Sequence, residues 1–358
     1  MKFFFFTCCI FSFQIVLGQK FTEVPTSSPI IRLNDSRADI ADVDNDGDLD
    51  LIVAGEIELF SSVTILYKNN GLGLFTEVTD SKFEGVHYGA VAFVDIDGDQ
   101  DQDLFITGEN STLKTVAKLY QNDGRGNFTE FEDTPFVNVA NGKSAFSDID
   151  GDQDQDLLLT GRTLFGQRTT NLYLNDGTGI FSEVTNTPFE GVDDSVVDFL
   201  DVDGDQDQDL LIMGSDGSFY GITKLYLNDG NGNFNEVENT PFFQRSDGSI
   251  ASGDIDGDLD QDVIISGIFT DVFGDVKLYL NDGNGNFMEA NSPFEGTSEV
   301  VMVDIDNDGD QDVITTGYSE SFSLVARLYF NIGEGEFLNI VGNTIMSLSA
   351  TALNVFPT

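Results

Sequence analysis

One acidic string occurs six times in this chain, beginning at Asp42, Asp95, Asp148, Asp201, Asp254 and Asp304, at intervals of 53, 53, 53, 53 and 50 residues. A fixed period of this length means a series of like units, each too small to bury its own apolar face and each covered by the next. Every string runs into an apolar stretch closed by glycine, such as Leu104-Phe105-Ile106-Thr107-Gly108 or Val263-Ile264-Ile265-Ser266-Gly267. A tyrosine follows (Tyr67, Tyr120, Tyr173, Tyr226, Tyr279, Tyr329), then an Asn/Gly-rich stretch, then Phe75, Phe128, Phe181, Phe234, Phe287 or Phe337. Each unit holds four short strand candidates and almost nothing of helical period.

Four strands per repeat is the pattern of a β-propeller, so the expected class is all-β, a ring of four-stranded blades. Six blades are favoured and seven are the alternative. Strand a leads into the acidic string, as in Gly89-Ala90-Val91-Ala92-Phe93-Val94. The sixth residue upstream of each string is small (Ser36, Gly89, Gly142, Ser195, Gly248, Ser298), which suits a crowded inner strand. The apolar run is strand b, the tyrosine segment strand c, and the repeated phenylalanine opens strand d. Asn-Asp-Gly stretches at Asn122, Asn175, Asn228 and Asn281 read as tight c–d turns that reverse the chain, with asparagine and glycine at positive φ. Phe21-Thr22-Glu23-Val24 copies Phe75-Thr76-Glu77-Val78, a spare strand d of the kind that can complete a last blade and remove a sheet edge. Phe337-Leu338-Asn339-Ile340 already fits that place, so either one copy is redundant in six blades or residues after Gly342 begin a seventh.

Within every string the acids fall at positions 1, 3, 5, 7 and 9. The whole chain carries 63 Asp+Glu against 16 Lys+Arg, a formal net charge of -47, yet it is 40% hydrophobic and 11% aromatic, ample for a core. That charge excludes nucleic acid as a partner. Five carboxylates in nine residues repel unless something positive sits among them. A hard divalent cation meets the need, and calcium suits it best because it takes six to eight oxygen ligands at ~2.3–2.6 Å. Magnesium prefers to keep several waters, and zinc and iron want the His and Cys ligands that are scarce here.

The units resemble the FG-GAP/VCBS repeats of integrin-α-type β-propellers; Tyr88-Gly89-Ala90-Val91 followed by Asp95-Ile96-Asp97-Gly98-Asp99 is close to that signature. The resemblance spans roughly residues 21–340. It implies calcium held by side chains at positions 1, 3, 5 and 9 and by the main-chain carbonyl at position 7. The implied ligands are Asp42, Asp44, Asp46 and Asp50; Asp95, Asp97, Asp99 and Asp103; Asp148, Asp150, Asp152 and Asp156. In the second half they are Asp201, Asp203, Asp205 and Asp209; Asp254, Asp256, Asp258 and Asp262; and Asp304, Asp306, Asp308 and Asp312. About one calcium per repeat, up to six, follows. Position 6 departs from the pattern: glycine at Gly47 and Gly309 gives way to Gln100, Gln153, Gln206 and Leu259, so these four loops are expected to be strained or differently shaped. The extra acid at position 7 is then a solvent-facing charge or a compensating ligand.

Residues 1–18 read as a secretory signal peptide: Met1-Lys2, an apolar run from Phe3 to Leu17, and a small-residue exit at Gly18. Cys8 and Cys9 lie too early in that run for a lipid anchor. Their loss leaves no cysteine, so nothing in the exported chain is held by disulfides. No other apolar stretch approaches the ~20 residues of a membrane span. The propeller then occupies 19–340, and 341–358 form a tail. Its end, Asn354-Val355-Phe356-Pro357, resembles the opening of sorting domains used in type IX secretion.

The calcium loops and c–d turns share one face of such a ring, and the b–c and d–a connections share the other. The second set varies between repeats and holds Phe165, Phe219, Tyr220, Phe273, Tyr318 and Phe322 with Arg162, Arg168 and Arg245, a candidate docking face. The single histidine, His87, is expected at the surface, and no nucleophile motif stands out. The expectation is a secreted or cell-surface, non-catalytic, monomeric calcium-binding propeller with an extracellular protein or glycan ligand. The alternatives are the scaffold of a calcium-dependent polysaccharide-degrading enzyme, or a lectin.

Overall fold

The computed structural model describes residues 30–339 apart from 59, 219, 270–271, 296–298, 319–323 and 334. The segments read as a signal peptide, as a spare strand at Phe21 and as a tail lie outside the described residues, as do Phe219 and Phe322.

Among the described residues, twenty-four strands form six antiparallel meanders of four. The first blade is β1 (Asn34–Ala41), β2 (Asp50–Glu58), β3 (Ser61–Asn69) and β4 (Phe75–Glu77); the second is β5 (Val86–Val94), β6 (Asp103–Asn110), β7 (Thr115–Asn122) and β8 (Phe128–Phe131). The third is β9 (Ser144–Ser147), β10 (Asp156–Arg162), β11 (Arg168–Leu174) and β12 (Ser182–Val184), and the fourth β13 (Asp193–Leu200), β14 (Asp209–Ser215), β15 (Ile222–Asn228) and β16 (Phe234–Glu236). The fifth is β17 (Ser246–Gly253), β18 (Asp262–Phe269), β19 (Val272–Asn281) and β20 (Phe287–Ala290); the sixth is β21 (Glu299–Val303), β22 (Asp312–Tyr318), β23 (Leu324–Asn331) and β24 (Phe337–Asn339). One residue pair, Val63 with Val86, joins the first two blades into a continuous sheet. Val116–Val139 and Thr169–Val192 repeat that link between later blades.

The apolar run of strand b is unbroken because both of its faces are covered. In β6, Leu104 and Ile106 pack against the first blade, while Phe105 packs against the third. Five core clusters form in this way between successive blades among the described residues. A phenylalanine of each d–a connection (Phe83, Phe136, Phe189, Phe242, Phe294) stands edge-on to the tyrosine of strand c, with centroids 5.0–5.2 Å apart. Leu51 of blade one and Ile305 of blade six are half-buried, whereas their counterparts Leu104 and Ile96 are fully buried.

Charged side chains on three inner strands act on one another. Lys143 precedes β9, Arg37 lies on β1 and Glu299 opens β21, in blades three, one and six. Burial pushes the Lys143 ammonium pKa down, the Arg37 charge adds to that, and Glu299 opposes it. Burial raises the Glu299 carboxyl against the pull of both cations. The inner strands of successive blades lie side by side, β1 with β5, β5 with β9, β9 with β13, β13 with β17 and β17 with β21.

In blades one, two, four and five the small residue six places before the string (Ser36, Gly89, Ser195, Gly248) sits where strand a bulges against strand b. The pairing register shifts between His87 and Ala90 and between Asp193 and Val196, and the preceding residues Tyr88, Asn141 and Asp194 have φ of 50°, 54° and 45°. A Cβ on Gly142 would lie 1.9 Å from the Thr160 carbonyl oxygen. Gly142→Ala is therefore expected to destabilise the protein by about 1–3 kcal/mol, measured by thermal or denaturant unfolding, because backbone rather than a flexible side chain has to move.

Candidate metal centres

The acidic strings form the six a–b loops, and the last carboxylate of each opens strand b. These position-9 residues, Asp50, Asp103, Asp156, Asp209, Asp262 and Asp312, are no more than 1% exposed. Each accepts two backbone N–H groups. One comes from position 2 of its own loop, for example Ile149 at 2.9 Å, and the other from the asparagine ending strand c, for example Asn175 at 2.8 Å. The carboxylate thereby clips the loop to the c–d turn. Position 1 folds the loop around itself: Asp148 accepts from the Gly151 and Gln153 N–H groups at 2.8 and 3.1 Å.

Positions 1, 3 and 9 bring oxygen atoms within 4.8 Å of one another in the first, third, fourth and fifth repeats; in the second, positions 1, 3 and 5 do so. The position-3 carboxylate carries the most specific sign of a missing partner. In all six repeats its Oδ1 (Asp44, Asp97, Asp150, Asp203, Asp256, Asp306) is buried and accepts no hydrogen bond. A buried carboxylate oxygen without a donor is costly, and six equivalent ones in a ring fit a cation that supplies the missing charge. In the third to sixth repeats burial, and after it the charge of the position-5 carboxylate, raises the position-3 carboxyl pKa. An all-oxygen donor set of this kind suits a hard divalent ion, one per repeat.

Without such an ion the position-9 acids resist ionisation. Burial is the main cause, opposed by the two backbone N–H groups and reinforced by the acids at positions 3 and 5. It pushes the Asp103 carboxyl up to about 7 and those of Asp156, Asp209 and Asp262 up to about 6. Asp50 and Asp312 shift the same way.

The first two sites differ from the rest. Lys68 places its Nζ 2.8 Å from Asp44 Oδ2, and Gln121 donates to Asp97 Oδ2 at 2.6 Å, whereas Leu174, Leu227, Leu280 and Phe330 occupy those places elsewhere. The lysine brings a charge of its own into the first site.

The loops are strained at position 6 and still alike in shape. Gln100, Gln153, Gln206 and Leu259 have φ of 71°, 75°, 75° and 76°, beside 89° at Gly47 and 99° at Gly309. Position 4 is also left-handed throughout, and there the glycine falls in the four middle repeats while Asn45 and Asn307 take the outer two. Each loop thus needs two positive-φ residues and has one glycine, placed at either point. Position 7 is neither a plain solvent charge nor a general ligand. Asp101, Asp207 and Asp260 lie over the c–d turn, where a Cβ on Gly124, Gly230 or Gly283 would come within 2.5 Å of a carboxylate oxygen. Asp154 is the exception, with a buried, unpartnered Oδ1 and a carboxyl pushed up to about 7 by burial and by Asp152 and Asp156.

Two sequence expectations change. The c–d asparagines are not the positive-φ residues, a role left to Gly124 and Gly126 and their equivalents, and they do more than reverse the chain. Asn122 Nδ2 donates to the Val43 carbonyl of the preceding blade at 2.8 Å, and Asn175, Asn228, Asn281 and Asn331 repeat the bond at 2.7–2.8 Å. His87 is buried, not superficial; its Nδ1 meets Ser62 Oγ at 2.8 Å and the Glu109 carbonyl at 2.9 Å. Among the variable loops Phe165 is 95% exposed, in a hairpin flanked by the paired Arg162 and Arg168, and Tyr220 also reaches solvent. No helix among the described residues is long and apolar enough to cross a membrane.

The FG-GAP-like repeat model matches residues 42–106, 95–159, 148–212, 201–265 and 254–315 in overlapping pairs of units. The chain belongs to the FG-GAP-like repeat family. No curated protein gives a match. Among solved structures, AofleA from Arthrobotrys oligospora is similar at 10% identity over 85% of each chain, with a TM-score of 0.47. The Aleuria aurantia lectin is similar at 10% identity over 89% of this chain and 97% of its own, TM-score 0.43. The biofilm matrix protein Bap1 of V. cholerae is similar at 13% identity over 87% and 59%, TM-score 0.41. Glycoside hydrolases also occur among such neighbours of this FG-GAP-like chain.

Two outcomes test this geometry. Leu259, 88% exposed and left-handed, is expected to gain about 1 kcal/mol of stability on Leu259→Gly, read from unfolding midpoints, since glycine removes the strain without losing a packed contact. The raised carboxyl pKa values also set a pH trend for metal-stripped protein. A group whose folded pKa lies above its unfolded one stabilises most below the unfolded value, and that contribution is lost as pH rises through the folded value. Metal-stripped protein should therefore melt at lower temperature as pH rises from about 4 to about 7. Ion-loaded protein should show the opposite slope, because a bound cation favours the ionised form.

Proposed function

We propose that this is an exported, calcium-loaded, non-catalytic binding propeller, in which the acidic loops hold the ions and the variable b–c and d–a loops recognise an extracellular protein or glycan. The observation that carries the calcium reading is the buried, donorless Oδ1 at position 3 of every repeat. The proposed ligands are the position 1, 3, 5 and 9 aspartates, with Asp154 added in the third repeat. Calcium is favoured because the donors are all oxygen and offer more than the six positions that magnesium fills, largely with water. The ion supplies charge neutralisation, and the residues themselves do the rest: position 9 ties loop to turn, and the turn asparagine ties blade to blade. Six such ions would offset only about a quarter of the chain's negative charge, so the exported protein stays strongly acidic.

Binding rather than catalysis is supported by the regularity of the acids. Their roles are accounted for by the loops, and the lone histidine is buried with its Nδ1 engaged by Ser62 and a backbone carbonyl. The loop face is supported by its exposed aromatic and arginine side chains on a fixed frame.

Calorimetric titration of metal-stripped protein should show about six calcium ions per chain, with the first site weakest because Lys68 competes for Asp44. Asp150→Asn should lower the count by one while the other sites persist. Incubation with a panel of polysaccharides should release no reducing ends or unsaturated products. A stoichiometry of zero or one would overturn the ion assignment, and product release would overturn the non-catalytic one.

A further inference from the structure

We infer that Arg162 and Arg168 form a receptor for the carboxylate of an acidic sugar on the variable-loop face. This rests on reading that face as the binding face and deepens it.

The two arginines are direct register partners at the end of the β10–β11 hairpin. Like charges placed opposite one another on a hairpin destabilise it, so something must hold them there. That group is Asp193, which opens β13 of the next blade and is 0% exposed. Its Oδ1 lies 2.6 Å from Arg168 Nε and its Oδ2 3.3 Å from Arg162 Nε. One buried carboxylate divided between two guanidinium groups leaves a positive charge over. It hydrogen-bonds only Arg168, through Nε; its Oδ2 has no hydrogen-bond partner, so Arg162 is held by charge alone. Both side chains are partly open to solvent, at 43% for Arg162 and 29% for Arg168. Arg168 is fixed through its Nε with its Nη1 turned towards Gly217 of the next blade, and Arg162, the more exposed of the two, offers the planar fork that a carboxylate can meet in bidentate fashion. Asp216 of the next loop, which accepts from the Ser218 N–H at 2.8 Å, lies within electrostatic reach of Arg168 and leaves Arg162 the less compensated of the two.

The surroundings select the rest of the ligand. Between the arginines the chain makes a closed hairpin, with Thr163 N–H donating to the Gln167 carbonyl at 2.8 Å and Gly166 N–H to the Thr163 carbonyl at 2.9 Å. Phe165 stands at its tip with its ring in water, beside the exposed Leu164. An apolar face next to a charged fork fits a pyranose ring that bears one carboxylate. A long polyanion is excluded by the overall charge, so the ligand is a single acidic residue or the end of a chain.

The test is calorimetric titration of the calcium-loaded full chain with methyl glucuronide and with its methyl ester. The acid should bind at least about tenfold more tightly than the ester, since only the acid makes charge-assisted bonds to the forks. Arg162→Gln combined with Arg168→Gln should abolish that preference. Because this strands Asp193 in the interior, Arg162→Lys with Arg168→Lys serves as the folded control; it keeps the charge and should still weaken binding of the acid by losing the fork. Phe165→Ala should weaken both ligands without affecting folding. Equal binding of acid and ester, no binding of either, or preference for the acid that survives both double variants overturns the inference. A glutamate-rich peptide binding more tightly than the sugar also overturns it. If acid and ester bind equally and Phe165→Ala weakens both, the loop face stands as the binding surface and only the carboxylate assignment falls.

Discussion

Six buried carboxylates at the first residue of strand b govern this architecture. Each is taken out of water, where an ionised acid is costly, and each is surrounded by further acids that make ionisation costlier still. Two backbone N–H groups recover part of that cost and fasten the loop to the turn beside it. They do not neutralise the charge. The position-3 oxygen left without a donor marks where the balance is incomplete, and the same deficit recurs in every blade because the loop recurs in every blade.

From that point the order of assembly is local. The clip presents the strand-c asparagine, whose amide reaches the position-2 carbonyl of the preceding blade, so the polar end of each blade is joined to its neighbour by the groups that shape its own loop. The apolar run of strand b and the edge-on Phe–Tyr pairs fill the space between the sheets. Along the inner strands, space is so short that the residue after the left-handed Asp35, Tyr88, Asn141 and Asp194 is glycine or serine. Arg37, Lys143 and Glu299, from three separate blades, act on one another electrostatically. Asn69 bonds to Leu49 of its own blade as Asn122, Asn175 and Asn228 bond to Gln102, Gln155 and Gln208 of theirs.

Much of this is legible in the sequence because it is periodic. The interval of 53 residues locates each strand, and the alternation of acids points to oxygen ligands without any coordinates. What the sequence obscures are contacts between units. A lone histidine carries no signal that Ser62 and Glu109 will enclose it, and an asparagine in an Asn-Asp-Gly string reads as a turn residue although its amide serves the blade before. The interblade phenylalanines had a visible sign in the recurring Pro-Phe pairs at Pro135, Pro188, Pro241 and Pro293, which only packing explains. The exchange of glycine between positions 4 and 6 was visible too, and the backbone angles give its reason: either position can bear a side chain at a modest cost, and the loop keeps its shape.

Anomalous diffraction from crystals grown with calcium addresses the central claim most directly. The account predicts one anomalous peak in each acidic loop, about 2.3–2.6 Å from the position-3 Oδ1 and within reach of the position-9 carboxylate. Loops that hold only water at full calcium, with those oxygens still lacking a partner, would contradict it.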